Sequence, residues 1–183
     1  DDNMKPLYMI GCINEIGERQ KADNVSGLLG EKGFREYMDQ QDTPLEKGYL
    51  LRIGIDYFKE INENFGQEYG DFVLRKTADC ISGCISEGQK VYKLVADEFL
   101  ILDISSDEMK DADKLYDKVR GAIDKFIESN EFKVMYTISG GIVPFAALEG
   151  NQYSEALKLT DFALNEAKKL GRNRCYIYNK ETY

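Results

Sequence analysis

The sequence contains no histidine, no long apolar run and no paired-cysteine motif, and each absence excludes a class of protein. Without histidine, no mechanism can use a histidine base and no metal site can use a histidine ligand. No segment approaches the roughly 20 apolar residues that a membrane-spanning helix needs. The four cysteines form no CxxC pair and are expected to be small buried hydrophobes in a reducing compartment: Cys12, Cys80, Cys84 and Cys175. Any chemistry must therefore come from carboxylates, lysines, arginines, backbone amides or a hard metal ion.

Positive charge is also scarce, since 24 basic residues stand against 33 acidic ones and give the 183-residue chain a net charge of −9. Phosphate backbones and anionic lipids recruit basic surfaces, so this balance argues against nucleic acid as a partner and against docking on a lipid surface. The length predicts one domain with a short appendage. We expect a cytoplasmic domain, which a longer protein would tether to a membrane only through segments outside this chain.

Apolar periodicity and turn signals predict an α/β (α+β) fold, in which helices cover a central sheet. Strands are predicted at 8–13, 49–55, 91–95, 99–104, 132–143 and 175–178, and helices lie between most of them. Only three residues separate the strands at 91–95 and 99–104, which indicates a tight hairpin. Gly140 and Gly141 predict a bulge or bend in the long strand.

Three charged features are candidates for chemistry, although each has an ordinary structural explanation when taken alone. Asp97 and Glu98 lie at the hairpin tip, where acidic residues are usually just solvated. Asp56 follows a strand and is expected to cap the next helix. Four basic residues at 168–174 surround a helix C-terminus, where cations complement the helix dipole. If the strand at 49–55 lies beside the hairpin, these carboxylates converge near a helix N-terminus, an arrangement suited to Mg²⁺-dependent nucleotidyl transfer.

Four motifs, in order and at matching spacings, resemble those of the GGDEF domain, the nucleotidyl-cyclase-like family that makes cyclic di-GMP from two GTP molecules. Residues 23–28 (DNVSGL) resemble the opening D-x-L-T-G-L, and residues 54–62 (GIDYFKEIN), with Gly66, Gly70 and Asp71, resemble D-x-D-x-F-K-x-I-N…G…G-D. Residues 95–99 (VADEF) occupy the signature position, and residues 161–174 resemble the closing A-D-x-A-L-Y-x-A-K-x-x-G-R-N-R. The resemblance runs from about Asp23 to Tyr178.

The resemblance implies a fold and a set of site residues. The fold is a palm-like, mostly antiparallel sheet of about five strands flanked by helices. Asn62 and Asp71 match the pair that reads the guanine edge, and the other matching substrate-binding positions are Phe58, Lys59, Lys168 and Arg172. Asp97 and Glu98 match the catalytic carboxylates, and Asp97 would hold Mg²⁺.

Two departures from the family pattern weaken the case for activity, and a third concerns its inhibition. The first metal aspartate of D-x-D is Gly54 here, and Asp56 is about 7 Å further along the same strand face. Val95 and Ala96 replace the two signature glycines, so a side chain is forced into the left-handed region or the turn changes. The product-inhibition motif R-x-x-D is replaced by SEGQ at 86–89, which leaves no inhibitory site for cyclic di-GMP.

A weaker resemblance concerns the N-terminal residues. Residues 11–21 (GCINEIGERQK) are similar to the end of a PAS sensor domain and its linker. We therefore divide the chain into a remnant of an upstream sensor domain and linker, 1–22, and a GGDEF-like domain, 23–183. This division predicts an upstream sensor domain in cis and a homodimer in the full-length protein.

These observations favour a degenerate GGDEF domain with little or no diguanylate cyclase activity, which keeps GTP binding as a regulatory function and binds Mg²⁺ weakly. Two alternatives stay open. One is an active cyclase that uses Asp97, Glu98 and Asp56 around a shifted metal. The other is a dimerisation or scaffold domain that binds no nucleotide.

Overall fold

A computed structural model describes residues 22–129, 134–150 and 152–181. The helices are α1 (Glu31–Asp39), α2 (Phe58–Phe65), α3 (Gln67–Cys84), α4 (Lys110–Ser129) and α5 (Tyr153–Lys169). The strands are β1 (Tyr49–Ile55), β2 (Gln89–Lys93), β3 (Glu98–Asp103), β4 (Ile138–Pro144) and β5 (Cys175–Ile177). The strand predicted at 8–13 and the sensor remnant up to residue 21 lie outside the described residues.

The five strands form one sheet in the order β2-β3-β1-β4-β5, in which only the β4–β5 pair is parallel. This arrangement confirms the predicted mixed fold with a mostly antiparallel sheet flanked by helices. The tight hairpin is present, since β2 and β3 are antiparallel neighbours. The fourth strand is shorter than predicted, because it begins at Ile138 rather than at residue 132.

Strand β1 lies at the centre of the sheet and separates two packed layers. Its odd-numbered side chains, such as Leu51 and Ile53, belong to the core that α3 and α4 cover. Leu50 belongs instead to a second core with residues of α1 and α5. Because successive side chains of a strand point to opposite faces, Arg52, Gly54 and Asp56 follow Leu50 on the α5 side.

The bulge predicted at Gly140 and Gly141 is absent. Both residues pair in continuous register with β1, Gly140 with Ile53 and Gly141 with Arg52. The reason for Gly141 is the close approach of α5: a Cβ atom placed there would lie 2.3 Å from the backbone nitrogen of Leu164. Glycine at this position allows the helix to lie directly against the sheet.

Candidate functional site

The hairpin tip meets the end of β1, as the sequence predicted. Gly54 lies opposite Glu98 in the β1–β3 register, and the amide of Ile55 donates a hydrogen bond to the carbonyl of Asp97 (3.3 Å). A Cβ atom built on Gly54 would lie 3.7 Å from Oδ2 of Asp97. The missing aspartate of the family motif would therefore stand beside the carboxylate that is still present.

Burial and neighbouring charges act on the Asp97 carboxyl. Burial raises the pKa of Asp97. The nearby positive charge of Lys168 lowers this pKa, and the negative charge of Glu98 raises it. Lys168 comes from the end of α5, so the structure brings one of the predicted phosphate-binding residues close to the hairpin carboxylates. The site is thus built from β1, the hairpin and the C-terminal end of α5.

Glu98 is held by Arg52, a residue that the sequence analysis did not single out. Nε and Nη2 of Arg52 both donate hydrogen bonds to Oε2 of Glu98, at 2.9 and 2.5 Å. The two side chains are only 9% and 16% exposed, so little water screens the pair. An arginine inside the otherwise apolar strand YLLRIGI was the available signal, because arginine is rarely buried without a partner.

Asp56 does not cap the following helix, contrary to the expectation. The N-cap position of α2 is taken by Tyr57 instead. The backbone of Tyr57 is left-handed, and its side chain makes no capping hydrogen bond. The Asp56 side chain, in a residue only 2% exposed, instead accepts hydrogen bonds from the hydroxyls of Thr137 and Ser139, each at 2.6 Å, and from the amide of Asn173 at 3.1 Å. Its oxygens therefore join β1 to β4 and to the loop after α5.

The loop that Asp56 holds carries Arg172. Residues Gly171, Arg172 and Asn173 all have positive φ (119°, 62° and 51°), a conformation that non-glycine residues adopt at some energetic cost. The guanidinium of Arg172 stacks over the ring of Tyr57 with 4.6 Å between its Cζ atom and the ring centroid. This stacking places a cation beside the start of α2.

At the hairpin tip, only one of the two replaced glycines keeps a glycine-like backbone. Ala96 has φ of 56°, whereas Val95 is not among the described non-glycine residues with positive φ, and its side chain is largely exposed. The ammonium of Lys93 donates hydrogen bonds to the carbonyls of Leu94 and Ala96 from beneath the turn. The turn therefore retains the left-handed residue immediately before Asp97 despite the missing glycine.

We expect Ala96→Gly to stabilise the domain by about 1 kcal/mol, because it removes the penalty of an L side chain at positive φ. Val95→Gly is the matched control and should lower stability slightly, since glycine at an ordinary φ only adds freedom to the unfolded chain. Urea denaturation of both variants measures the two effects. Equal changes in the two variants would contradict this account of the turn.

The predicted guanine-reading residues lie on two consecutive helices, Asn62 on α2 and Asp71 on α3. A Cβ atom on Gly70 would lie 1.7 Å from Oδ1 of Asn62 and 3.4 Å from Cζ of Phe58, so glycine makes room for both side chains. Oδ1 of Asn62 is buried and has no hydrogen-bond partner among the described residues. Asp71 is the next residue after Gly70 and is partly buried. A buried acceptor without a partner suits a ligand that presents N–H donors, and a carboxylate such as that of Asp71 accepts from the same kind of group.

The remaining predicted residues lie on the surface. Lys59 is highly exposed and its ammonium is 3.7 Å from a carboxylate oxygen of Glu63. Lys168 and Arg172 line a groove of about 640 Å³ along α5, together with the basic residues Lys158 and Lys169 and the single carboxylate of Asp161. The groove gives this side of the acidic protein a local excess of positive charge.

The residues present fit a divalent metal ion poorly. No group of three or more acidic or cysteine side chains that could hold one occurs in the part of the chain that the structure describes. Gly54 offers no side-chain ligand, Glu98 is paired with Arg52, and Asp56 accepts three hydrogen bonds. Asp97 alone would be left, one carboxylate where the family motif offers two, so Mg²⁺ would depend on substrate and water for every other ligand.

At the position of the family's inhibitory motif, Gln89 serves the local structure. Its side-chain oxygen accepts a hydrogen bond from the amide of Ser86 (2.8 Å), and its side-chain nitrogen donates one to Asp103 (2.8 Å). These contacts close the turn between α3 and β2.

A family model described as "Diguanylate cyclase, GGDEF domain" matches residues 20–174. The chain belongs to the GGDEF family. The match includes every site element described above, from the opening motif to the loop that carries Arg172. The family resemblance inferred from the sequence is thereby confirmed, and the fold agrees with it.

Curated relatives of this GGDEF domain are distant and longer. The diguanylate cyclase VdcA of Vibrio cholerae is 28% identical over 156 residues, which cover 83% of this chain and 45% of that protein. The diguanylate cyclase DgcZ of Escherichia coli is 27% identical over 167 residues, with coverages of 89% and 55%. An uncharacterized membrane protein of Staphylococcus saprophyticus is 25% identical over 175 residues, with coverages of 91% and 48%. The chain thus spans about half the length of these relatives.

Solved structures show the same fold. The diguanylate cyclase SiaD of Pseudomonas aeruginosa, in complex with its activator SiaC, has a TM-score of 0.80 at 22% identity and covers 97% of this chain and 69% of its own. The coiled coil and GGDEF domain of DgcB from Caulobacter crescentus, in complex with c-di-GMP, has a TM-score of 0.78 at 18% identity, with coverages of 97% and 96%. Among the described residues of this GGDEF domain, no helix is both long and apolar enough to cross a membrane.

Proposed function

We propose that this GGDEF domain is a regulatory module of cyclic di-GMP signalling that binds GTP and has little or no diguanylate cyclase activity. The observation that carries the proposal is a contrast between the predicted base-reading residue and the carboxylates around the hairpin. The base-reading position Asn62 keeps a buried oxygen without a partner, while Glu98 and Asp56 are engaged by protein groups. Membership of the family supports a guanine nucleotide as the ligand.

Binding would use complementary hydrogen bonds and charge. The Watson–Crick edge of guanine presents N–H donors, which Oδ1 of Asn62 and the carboxylate of Asp71 can accept. Phe58 packs beside Gly70 and would offer the base an apolar contact. Lys168 and Arg172 would offset the charge of the phosphates, because both line the basic groove along α5.

The test is a calorimetric titration of GTP into the domain, with and without Mg²⁺. We expect a micromolar Kd, and we expect Asp71→Ala to weaken binding at least tenfold, because a lost charged hydrogen bond costs about 1.5–3 kcal/mol. Asp79→Ala is the matched control, since Asp79 is an exposed acid on the same helix. It should leave the affinity unchanged.

Two outcomes would overturn the proposal in different ways. No heat up to millimolar GTP would leave a scaffold domain without nucleotide function. Cyclic di-GMP produced from GTP and Mg²⁺ or Mn²⁺ would identify an active cyclase. Because catalysis in this family joins two domains face to face, the product assay should use the full-length protein.

In the whole protein, this domain would follow a sensor domain in cis, of which residues 1–22 would be the remnant and linker, and would work as a homodimer. The chain spans about half the length of its curated relatives, which supports further segments in the whole protein. The likeness to a staphylococcal membrane protein supports tethering of the whole protein to a membrane. We expect this domain to lie in the cytoplasm.

A further inference from the structure

Arg52 is the most completely engaged charged group in the site. Besides the two hydrogen bonds to Glu98, Nη1 donates to the carbonyl of Leu157 at 3.0 Å and lies 3.5 Å from the hydroxyl of Thr160. Nη2 is also 3.7 Å from a carboxylate oxygen of Asp161. The guanidinium is therefore anchored to α5 on one side and to the hairpin on the other.

These contacts use Glu98, the carboxylate that a metal ion at the hairpin would need as a second ligand beside Asp97, since Gly54 supplies none. Oε2 of Glu98 accepts two hydrogen bonds from one guanidinium, a geometry in which charge-assisted pairs are strong. A cation that coordinates this oxygen must displace Arg52, and it would then leave the guanidinium buried beside Leu157 and Thr160 without its main counter-charge. Breaking a buried ion pair in this way is costly.

We infer that Arg52 is a positioning residue that replaces a metal ion as the fixed positive group beside Glu98, so that the hairpin site excludes divalent cations and binds anionic ligands without them. The first part stands on the geometry of Arg52 and Glu98 alone. The second part rests on the proposed binding of GTP. Arginine suits this role better than lysine, because its planar fork reaches the hairpin and α5 at once.

The missing aspartate provides a way to test the exclusion. Gly54→Asp adds a carboxylate whose Cβ atom would lie 3.7 Å from Oδ2 of Asp97 and 3.3 Å from Cδ2 of Leu164, which must move by a few tenths of an ångström. This single variant has the two carboxylates of the family motif, but with Arg52 in place Glu98 stays paired and the guanidinium adds a positive charge nearby, so it should bind metal less tightly than a variant in which residue 52 is neutral. Gly54→Asp combined with Arg52→Gln frees Glu98 while keeping a neutral hydrogen-bond donor beside it.

Mn²⁺ alone is titrated into each protein. Binding is measured by electron paramagnetic resonance as the loss of the signal of free Mn²⁺. We expect the wild-type domain to bind Mn²⁺ no tighter than millimolar. The double variant should bind at least tenfold more tightly than Gly54→Asp. Gly54→Asp combined with Arg52→Lys is the charge-retaining control and should bind like the single variant, and circular dichroism checks that each variant is folded.

Two results would overturn the inference about Arg52: equal Mn²⁺ affinity in the single and double variants, or micromolar Mn²⁺ binding by the wild type that Glu98→Gln abolishes. If the double variant does not fold, the Mn²⁺ titration of the wild type still tests the inference about Arg52. Calorimetry with GTP in EDTA tests the second part, and we expect a Kd within twofold of that in Mg²⁺. A tenfold dependence on Mg²⁺ would overturn that part, whereas no GTP binding at all would overturn only the proposed function and leave the Mn²⁺ result intact.

Discussion

Gly141→Ala is expected to destabilise the domain by more than about 3 kcal/mol, at the upper end of the cost of overpacking a core. The new Cβ atom would lie 2.3 Å from the backbone nitrogen of Leu164 and 2.6 Å from the carbonyl carbon of Ala163. Both atoms belong to the backbone of α5, so no side-chain rotation relieves the overlap. The helix must move away from β4, and the packing of α5 on the sheet is lost with it. Urea denaturation measures the change.

Gly121→Ala is the matched control for this variant. Gly121 lies within α4, and a Cβ atom there meets nothing within 4 Å. Since alanine favours helix by up to about 1 kcal/mol over glycine, we expect this variant to be slightly more stable than the wild type. A small effect of Gly141→Ala, comparable to that of Gly121→Ala, would show that α5 does not lie as close to β4 as described.

Asp56→Ala is expected to cost about 3 kcal/mol, because it leaves two hydroxyls and one backbone amide without their acceptor in a buried place. The affected donors are on Thr137, Ser139 and Asn173. The two hydroxyls can rotate toward another acceptor, whereas the backbone amide of Asn173 cannot. The loop that carries Arg172 should therefore loosen, and hydrogen exchange at the Asn173 amide should accelerate together with the loss of stability in urea.

Asp56→Asn separates the hydrogen bonds from the charge. Its amide oxygen can take the place of Oδ2, which accepts from Thr137 and Asn173, while its NH₂ group donates to the hydroxyl of Ser139. We expect a loss of no more than about 1 kcal/mol for this variant. If Asp56→Asn is as destabilising as Asp56→Ala, the negative charge itself holds this junction together.

The local parts of the fold were predictable from the sequence. Strand β1 has the predicted bounds, and the hairpin forms where the turn signal lies. The alternation and the helical spacing of apolar residues involve only residues close in the chain, so they predict a local element whatever the rest of the fold is. The meeting of Asp97 with Gly54 was also predictable, because it follows from placing the hairpin beside β1.

Contacts between distant segments were not predictable in the same way. Arg52 meets Glu98 and Leu157, which are 46 and 105 residues away, and no local pattern encodes such partners. Asp56 was expected to cap a helix, but Tyr57 takes that position and frees the carboxylate for β4 and the loop. Glycine at position 141 predicted a bulge or bend. In the structure, glycine is needed there because α5 packs across the strand.

The alternation of β1 has a consequence for how this domain tolerates mutation. Its core-facing residues, Leu51, Ile53 and Ile55, pack under α3 and α4, while positions 52 and 54 face the hairpin carboxylates. Side chains on one face can therefore be exchanged with little disturbance of the packing on the other. Both faces of β1 are nevertheless buried, so a new side chain at position 52 or 54 must still fit against α5, as Leu164 fits against Gly54. The space that α5 leaves therefore limits which ligands this face can acquire, while the core under α3 and α4 can stay unchanged.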